Sequence, residues 1–171
     1  MPFQKRGIIK KTDRKETEMY QKILVPLDGS ELAECVLPHV EVLARGCQAK
    51  SVVFIRVVEP FHQPTGDYVM DPDQVKKIEA EHKRAAEAYL KKISAKVSLA
   101  GASIKTEVFF GPPAETLSDY ATKNQVDLIV IATHGRSGIS RWVWGSVADR
   151  TLRSSCTPVL MVRAPGCVAG I

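Results

Sequence analysis

The feature that most constrains the fold is a regular alternation between short apolar runs and longer segments with helical periodicity. Parallel strands need long crossover connections, commonly helices, whereas antiparallel strands can be joined by tight turns. The alternation therefore predicts an α/β protein in which helices cover both faces of one parallel sheet. The runs that we predict as strands 1 to 5 are residues 22–28, 51–59, 103–110, 126–132 and 157–163.

The character of the individual runs predicts where each strand lies in the sheet. Residues 103–110 ("SIKTEVFF") alternate apolar with polar residues, which favours a position at the sheet edge. Residues 126–132 ("VDLIVIA") are almost continuously apolar, which suits the sheet centre. With right-handed crossovers, the five strands make a doubly wound parallel sheet. The strand order that we expect for it is 3-2-1-4-5.

The first connection, residues 30–46, has apolar residues at helical spacing and is predicted as a single amphipathic helix. Ser30 is its predicted N-cap, because a hydroxyl oxygen can accept a hydrogen bond from a backbone N–H group of the first turn. Pro38 lies inside the segment and is expected to kink the helix, since proline removes a backbone donor and clashes with the preceding turn.

Prolines mark the beginnings of the next two predicted helices. Asp71 and Pro72 form an N-cap and first-position pair for a long helix that we expect to reach about Leu99. Pro113 is the predicted first residue of a shorter helix that follows strand 3.

Length and composition indicate one globular domain. The 171 residues are 44% hydrophobic and 25% charged, which is typical of globular proteins. No apolar run approaches the ~20 residues that span a bilayer, and the N-terminal segment lacks the apolar stretch of a secretory signal. We therefore expect a cytoplasmic protein with no membrane partner. Its expected organisation is a basic extension over residues 1–20, one domain over residues 21–164, and a tail over residues 165–171.

The net charge of +5 is concentrated near the N-terminus. Residues 1–22 carry seven Lys or Arg against three acidic residues, so the remaining chain is almost neutral. A basic extension can contact phosphate or an acidic lipid surface, but such runs are usually solvated. We therefore expect no specific nucleic-acid partner. The four cysteines form no CxxC pair, so we predict no structural metal site.

The predicted strand order fixes where a ligand is expected to bind. In doubly wound sheets, ligands bind at the carboxyl ends of the strands, where the strand order reverses. With the order 3-2-1-4-5, that point lies between strands 1 and 4. The residues that emerge there are Pro26, Leu27 and Asp28 after strand 1, and residues 132–137 after strand 4.

The segment after strand 4, "THGRSGISRWVWGSV" (residues 133–147), has a composition suited to an anion. Its glycines leave backbone N–H groups accessible, and the start of a helix adds donors and partial positive charge. Gly135 allows close approach of the backbone, and Arg136 supplies charge. Gly145 and Ser146 open the last helix, where the Ser146 hydroxyl can cap the helix or bond a phosphate oxygen. The chain contains neither GxxxxGK[ST] nor a GxGxxG after strand 1, so phosphate is inferred from composition.

From Tyr20 to Arg163 the chain resembles the universal stress protein family. The resemblance is carried by "KILVPLDGSELAE" near the start, "GPPAETL" in the middle and "IATHGRSGISRWVWGSVADRTLRSSCTPVLMVR" at the end. ATP-binding members of that family have a Gly, two residues, a second Gly, nine residues, and then Gly followed by Ser or Thr. Here Gly135, Gly145 and Ser146 match the pattern, whereas Ala132 replaces its first glycine.

The resemblance implies a Rossmann-like fold of the adenine nucleotide alpha hydrolase type that binds ATP or AMP, with Mg²⁺ or Mn²⁺ as a candidate accompanying ion. It implies that Asp28 bonds the ribose hydroxyls and that Pro26 and Leu27 line the base pocket. The backbone of Val57 would read the adenine edge, and Arg56 stands where the family often has His. The loop that the resemblance assigns to the phosphates comprises Ala132, Thr133, His134, Gly135, Arg136, Gly145, Ser146 and Val147.

Three residues of this site have a second interpretation. Asp28 can be a turn residue in Asp-Gly-Ser. His134 can act as a base or lie beside a metal ion, but no acid or nucleophile is adjacent in sequence, so we expect it to orient the loop. Ala132 weakens binding if the backbone there is left-handed, since alanine disfavours positive φ. We expect binding to be retained, because the remainder of the loop matches the family pattern.

The resemblance also implies a regulatory or stress-protective homodimer, paired through strand 5 around Val159 to Arg163. An apolar edge strand is a physically reasonable place for such pairing. Two alternatives remain open. A family member that binds no nucleotide and acts through protein contacts is favoured by the replacement at Ala132. The second alternative is a very slow ATP hydrolase. Rapid phosphoryl transfer needs metal ligands and a positioned nucleophile, and Asp28 is the one acid predicted where the strand order reverses. We assign no catalytic residue.

Overall fold

The computed structural model describes residues 19–60, 71–133 and 145–163 of the chain. Within these residues, strands alternate with α-helices, as the sequence predicts, and a short 3-10 helix precedes the first α-helix. In chain order the elements are β1 (Lys22–Pro26), the 3-10 helix (Ala33–Val36), α1 (Leu37–Gly46), β2 (Ser51–Val58), α2 (Pro72–Lys96), β3 (Ser103–Phe110), α3 (Pro113–Lys123), β4 (Leu128–Ala132), α4 (Ser146–Ser154) and β5 (Val159–Val162).

The strands form one parallel sheet in the order β3-β2-β1-β4-β5. This confirms the predicted doubly wound topology. β3 lies at one edge, as its alternating pattern predicts, and β1 lies in the middle. All of β4 is buried, because strands lie on both sides of it and helices cover both faces.

The two faces of the sheet pack against separate cores. Successive strand residues point to opposite faces, so Phe54 joins one core and its neighbour Ile55 joins the other. Residues of α1 and α2 complete the first core, and residues of α3 and α4 complete the second. A residue near the end of a strand therefore faces one helix pair or the other according to its place in this alternation.

The connection after β1 differs from the single kinked helix that the sequence predicts over residues 30–46. It consists of the 3-10 helix followed by α1, and Pro38 lies in the first turn of α1. A proline is favoured there because the N–H group that it lacks has no intrahelical partner in a first turn. Pro38 therefore lies at the start of a second helix and does not kink the first. Ser30 is not the N-cap: Leu32 precedes the 3-10 helix and Val36 precedes α1. Ser30 lies two residues before Leu32, where its Oγ accepts a hydrogen bond from the Ala33 N–H at 3.2 Å.

The later helices begin where the prolines predict. Asp71 caps α2 with its side chain, and Pro72 is the first residue of that helix. The helix ends at Lys96, before the predicted end at Leu99. α3 begins at Pro113, as expected. Of the helices in the described ranges, none combines the length and the apolar character needed to cross a bilayer.

Candidate functional site

The strand register places Asp28 where the strand order reverses. β1 pairs with β2 on one side and with β4 on the other, both in parallel. Because β1 ends at Pro26, the residues that follow it leave the sheet between these two neighbours. When the pairings of β1 with β2 and with β4 are continued past Pro26, Asp28 lies opposite Val57 of β2 and opposite Thr133, which follows β4. We call this space at the carboxyl edge of the sheet the gap.

Hydrogen bonding turns two peptide units toward the gap. The last bond between β1 and β2 joins the Leu27 N–H to the Ile55 carbonyl at 2.9 Å. Successive residues of a parallel strand direct their peptide groups to opposite neighbours, so Val57 directs its N–H and C=O to the β1 side, as Ile55 does. On β4, Thr133 donates its N–H to β5. By the same alternation, the peptide groups of Ala132 face β1.

The side chains of Leu27 and Ala132 point away from the gap. They are 3% and 7% exposed, and both belong to the core beneath α1 and α2. These two residues can therefore meet a ligand through their backbones. The Ala132 backbone is extended, and Ala132 is not among the described non-glycine residues that have positive φ. Alanine at position 132 therefore fits the local conformation without backbone strain. Pro26 is half-buried, and Val57 packs against the second core.

The Asp28 carboxylate orders the turn that follows it. Its Oδ1 accepts hydrogen bonds from the Ser30 N–H at 2.9 Å and from the Ser30 hydroxyl at 2.7 Å. Between the two residues, Gly29 has a φ of +88°. Asp28 is therefore a turn residue, and the same bonds hold its carboxylate at the gap. The two interpretations of Asp28 are compatible in this geometry.

α4 brings a helix N-terminus to the same edge of the sheet. The Gly145 N–H donates to the Thr133 carbonyl at 2.7 Å, which joins the start of α4 to the end of β4. Gly145 is the N-cap, and Ser146 is the exposed first residue of the helix. First-turn N–H groups lack intrahelical acceptors and carry partial positive charge. The amides of Ser146 and Val147 are such donors, whereas the Gly145 amide is already bonded.

Three residues of the predicted phosphate loop, His134, Gly135 and Arg136, lie outside the described residues. The bond between Gly145 and Thr133 fixes the two ends of the segment that contains them. The placement of these three residues at the site therefore stays a prediction.

A group of side chains behind the turn after β1 is not predicted by the sequence. Arg56 of β2 lies over the ring of Tyr89 on α2, with its guanidinium carbon 5.5 Å from the ring centroid. Arg56 also contacts Gly29, since a Cβ atom on Gly29 would lie 2.8 Å from Arg56 Nη1. Glu34 of the 3-10 helix forms an ion pair with Lys96 at 3.7 Å. The signal for this group is Arg56, the one charged residue among the apolar residues of "SVVFIRVV".

Electrostatics keep Tyr89 protonated in this group. Burial raises the pKa of Tyr89, and the negative charges of Glu34 and Asp28 raise it further, against the opposing effect of Arg56. The Tyr89 hydroxyl is buried and lies near the Glu34 carboxylate, which is the charged group that most raises its pKa. Tyr89 therefore presents a neutral ring to the cationic Arg56 at physiological pH.

The described residues offer few other sites. No group of three or more His, Cys, Asp or Glu side chains within the described ranges is arranged to hold a metal ion. A shallow depression is lined by residues that include Tyr20, Asp127 and Pro158. It lies at the amino ends of β1, β4 and β5, at the opposite end of the sheet from the gap. We place the candidate site at the gap, because the polar groups converge there.

Comparison with known proteins identifies the family. A model of the universal stress protein family matches residues 19–163, which is most of the chain. The chain belongs to the universal stress protein family. Universal stress protein MJ0531 of Methanocaldococcus jannaschii is 30% identical to it over 155 residues, covering 89% of this chain and 87% of that protein.

Solved structures share the fold of this universal stress protein. The structure of protein MJ0577 of Methanocaldococcus jannaschii has a TM-score of 0.75 and 26% identity, covering 86% of this chain and 99% of that chain. The universal stress protein UspA of Lactobacillus plantarum has a TM-score of 0.66 and 26% identity, covering 85% of this chain and 99% of that chain.

Two more distant structures contain a nucleotide. One is a universal stress protein in complex with cAMP, with a TM-score of 0.58 and 22% identity over 85% of this chain and 98% of that chain. The other is a family protein of Arabidopsis thaliana with AMP bound, with a TM-score of 0.55 and 14% identity over 85% of this chain and 93% of that chain. At these identities the likeness shows a common fold alone.

We predict that Gly29→Ala destabilises the protein more than Gly101→Ala does. Both glycines have positive φ, +88° and +94°, so each substitution introduces backbone strain, of about 1–2 kcal/mol. At Gly29 the new Cβ would also lie 2.8 Å from Arg56 Nη1, whereas nothing lies within 4 Å of a Cβ at Gly101. Urea denaturation measures both free energies of unfolding. Equal losses would contradict tight packing of Arg56 against Gly29.

Proposed function

We propose that this universal stress protein binds an adenine nucleotide in the gap. The observation that carries the proposal is the convergence of three complementary groups at one edge of the sheet: the Asp28 carboxylate, the Val57 peptide unit and the N-terminus of α4. A carboxylate suits ribose hydroxyls, and a helix N-terminus suits phosphate. A strand peptide unit offers one donor and one acceptor, which suits the edge of an adenine ring.

The base and ribose lie on the β1 and β2 side of the gap in this proposal. Asp28 accepts hydrogen bonds from the ribose hydroxyls, while Ser30 keeps the carboxylate oriented through Oδ1. The N–H and C=O of Val57 pair with the adenine edge. Pro26 supplies apolar contact to the base, and Leu27 contributes its backbone, because its side chain is buried in the core.

The phosphates lie at the start of α4. The amides of Ser146 and Val147 donate to phosphate oxygens, and the helix dipole favours the negative charge. Gly145 contributes by closing the loop, since its own amide bonds to a backbone carbonyl. The backbone of Ala132 borders this part of the gap. The loop residues that complete the proposed site are Thr133, His134, Gly135 and Arg136, with His134 orienting the loop.

ATP or AMP is the ligand that we propose. The two nucleotide-containing neighbours hold cAMP and AMP, which supports adenine as the recognised base. Mg²⁺ keeps several of its waters and binds largely through substrate phosphates. A divalent ion, Mg²⁺ or Mn²⁺, would therefore arrive with the triphosphate. This fits the described residues, among which Asp28 is the acid at the gap and already has its Oδ1 engaged by Ser30.

We propose a cytoplasmic regulatory or stress-protective role, without rapid catalysis. Phosphoryl transfer requires a positioned nucleophile or base next to the transferred group. Asp28 is committed to its turn and, in this proposal, to the ribose, and the phosphates lie across the gap at α4. Hydrolysis of bound ATP is therefore expected to be very slow.

A tenfold or greater loss of ATP and AMP affinity is predicted for Asp28→Ala. The substitution removes the acceptor for the ribose hydroxyls, and a charge-assisted hydrogen bond typically contributes about 1.5–3 kcal/mol. Isothermal titration calorimetry measures the dissociation constants. Asp119→Ala is the matched control, because Asp119 is an exposed acid whose ion pair with Lys123 lies on the surface of α3. Absence of ATP or AMP binding by the unmodified protein at sub-millimolar concentration would remove the proposal.

The alternative function is that of a family member that binds no nucleotide and acts through protein contacts. Its support is Ala132, where nucleotide-binding relatives carry glycine in the sequence pattern. The structure weighs against it, since the Ala132 methyl lies in the core and its backbone does not have positive φ.

Ala132→Gly distinguishes the two functions. We predict a change in ATP affinity of less than about threefold, which is under 1 kcal/mol, because the methyl group does not face the gap. Calorimetry on both proteins gives the comparison. A large gain in affinity on substitution would favour the alternative, in which alanine blocks the site.

We also propose that the protein is a homodimer paired through β5 and Arg163. β5 is an edge strand bonded to β4, and Leu160 on it is 37% exposed. We predict that Leu160→Lys yields monomers, since a two-fold interface would bring the two new charges together. Ile104→Lys on the opposite edge strand is the control and leaves the dimer intact. Sedimentation velocity gives the masses, and a monomeric wild-type protein would overturn the pairing.

A further inference from the structure

Arg56 covers the turn that follows β1. Side chains of β2 alternate between the faces of the sheet, so Arg56 lies on the α1 and α2 side, whereas Val57 lies on the other. A Cβ atom on Gly29 would lie 2.8 Å from Arg56 Nη1, 3.1 Å from its Cζ and 3.2 Å from its Nη2. Because three atoms of the planar group lie this close, the guanidinium packs against the Gly29 backbone.

The ring of Tyr89 on α2 contacts the same guanidinium. The Arg56 Cζ lies 5.5 Å from the centroid of the Tyr89 ring, within the range of a cation–π contact. A planar guanidinium can stack on an aromatic face, whereas a lysine ammonium is a compact, strongly hydrated charge. Arg56 therefore connects α2 to the turn through its shape as well as its charge.

The turn that Arg56 contacts is the one that presents Asp28. Asp28 Oδ1 accepts two hydrogen bonds from Ser30, and Ser30 Oγ accepts one from the Ala33 N–H. All three bonds are local to residues 28–33. Arg56 links this local unit to β2 and α2, and the charges of Asp28, Glu34 and Arg56 all lie close enough to affect the Tyr89 hydroxyl.

We propose that Arg56, stacked on Tyr89, is the positioning residue of the ribose end of the nucleotide site. It holds the turn of residues 28–33 against β2, so that the Asp28 carboxylate faces the gap. Its effect on the turn follows from the contacts above, and its effect on affinity rests on the proposed nucleotide binding. Arg56 acts through the turn and makes no contact with the phosphates, which the proposal places at α4 on the other face of the sheet.

Hydrogen exchange of the ligand-free protein tests the effect on the turn. The Ser30 and Ala33 amides are both bonded within the turn, so their exchange reports how often it opens. Arg56→Ala is expected to speed both exchange rates at least about tenfold. The Ala102 amide, bonded to the Leu99 carbonyl at 3.0 Å far from the site, serves as the internal control. Unchanged exchange at Ser30 and Ala33 would overturn the proposal.

Substitutions at Tyr89 separate stacking from general stability. Tyr89→Phe keeps the aromatic face that contacts Arg56 and removes only the hydroxyl near Glu34, so the turn should stay protected. Tyr89→Leu keeps apolar bulk but removes the aromatic face, so it should speed exchange as Arg56→Ala does. Arg56→Lys should fail to restore protection, because the ammonium cannot stack in the same way. Full protection in Tyr89→Leu would contradict the stacking. This series also covers the case in which Arg56→Ala does not fold.

Calorimetry with adenosine and with ATP tests the effect on affinity. If Arg56 acts at the ribose end, Arg56→Ala weakens both ligands by the same factor, about tenfold. A loss confined to ATP would mean that Arg56 contacts phosphate and would overturn the positioning role. If the wild-type protein binds neither ligand while the exchange rates change as expected, the proposed function fails and the role of Arg56 in the turn stands.

Discussion

The candidate site depends on the unequal lengths of adjacent parallel strands. β1 ends at Pro26, while its neighbour β2 continues to Val58 in parallel register. Peptide groups that would bond to a longer β1 therefore face the gap. The strand order keeps this gap open, because the segments that follow β1 and β4 turn toward opposite faces of the sheet at that point. A longer β1 in the same register would pair with Val57 and close the gap.

The two faces of the sheet contribute different groups to the candidate site. On the α3 and α4 side, the bond from Gly145 to Thr133 fixes a helix N-terminus at the edge of the sheet. On the α1 and α2 side, Arg56 and Tyr89 support the turn that carries Asp28. Helix amides attract an anion, and the turn presents an acceptor. The site thus combines a positively polarised helix end with a negatively charged carboxylate, and the two are supported from opposite faces of the sheet.

Much of the fold and the position of the site follow from the sequence. The apolar runs predict the strands, and the rules for crossovers and strand order place Asp28 at the switch point. The sequence does not predict which face a residue takes just after a strand ends. The resemblance implies that Leu27 lines the base pocket; because its side chain lies in the core, a contact there would be made through its backbone. Pro38 is expected to kink a helix, whereas it lies in the first turn of α1, where a missing backbone N–H group costs no intrahelical bond.

The contact between Arg56 and Tyr89 cannot be predicted from the sequence. The two residues lie on different elements, and their separation depends on how α2 packs against β2. A charged residue inside an apolar run signals that a partner exists without identifying it. The roles of His134, Gly135 and Arg136 stay predictions from the glycine pattern, since these residues lie outside the described ranges.

The most direct test of the central claim is an NMR titration of isotope-labelled protein with AMP. We predict that the largest shifts occur at the backbone amides of Val57, Ser146 and Val147. The amides of Gln125 and Thr157, which line the depression at the opposite end of the sheet, should not move. Shifts concentrated in that depression, or no shift at the three gap amides at saturating AMP, would contradict nucleotide binding in the gap.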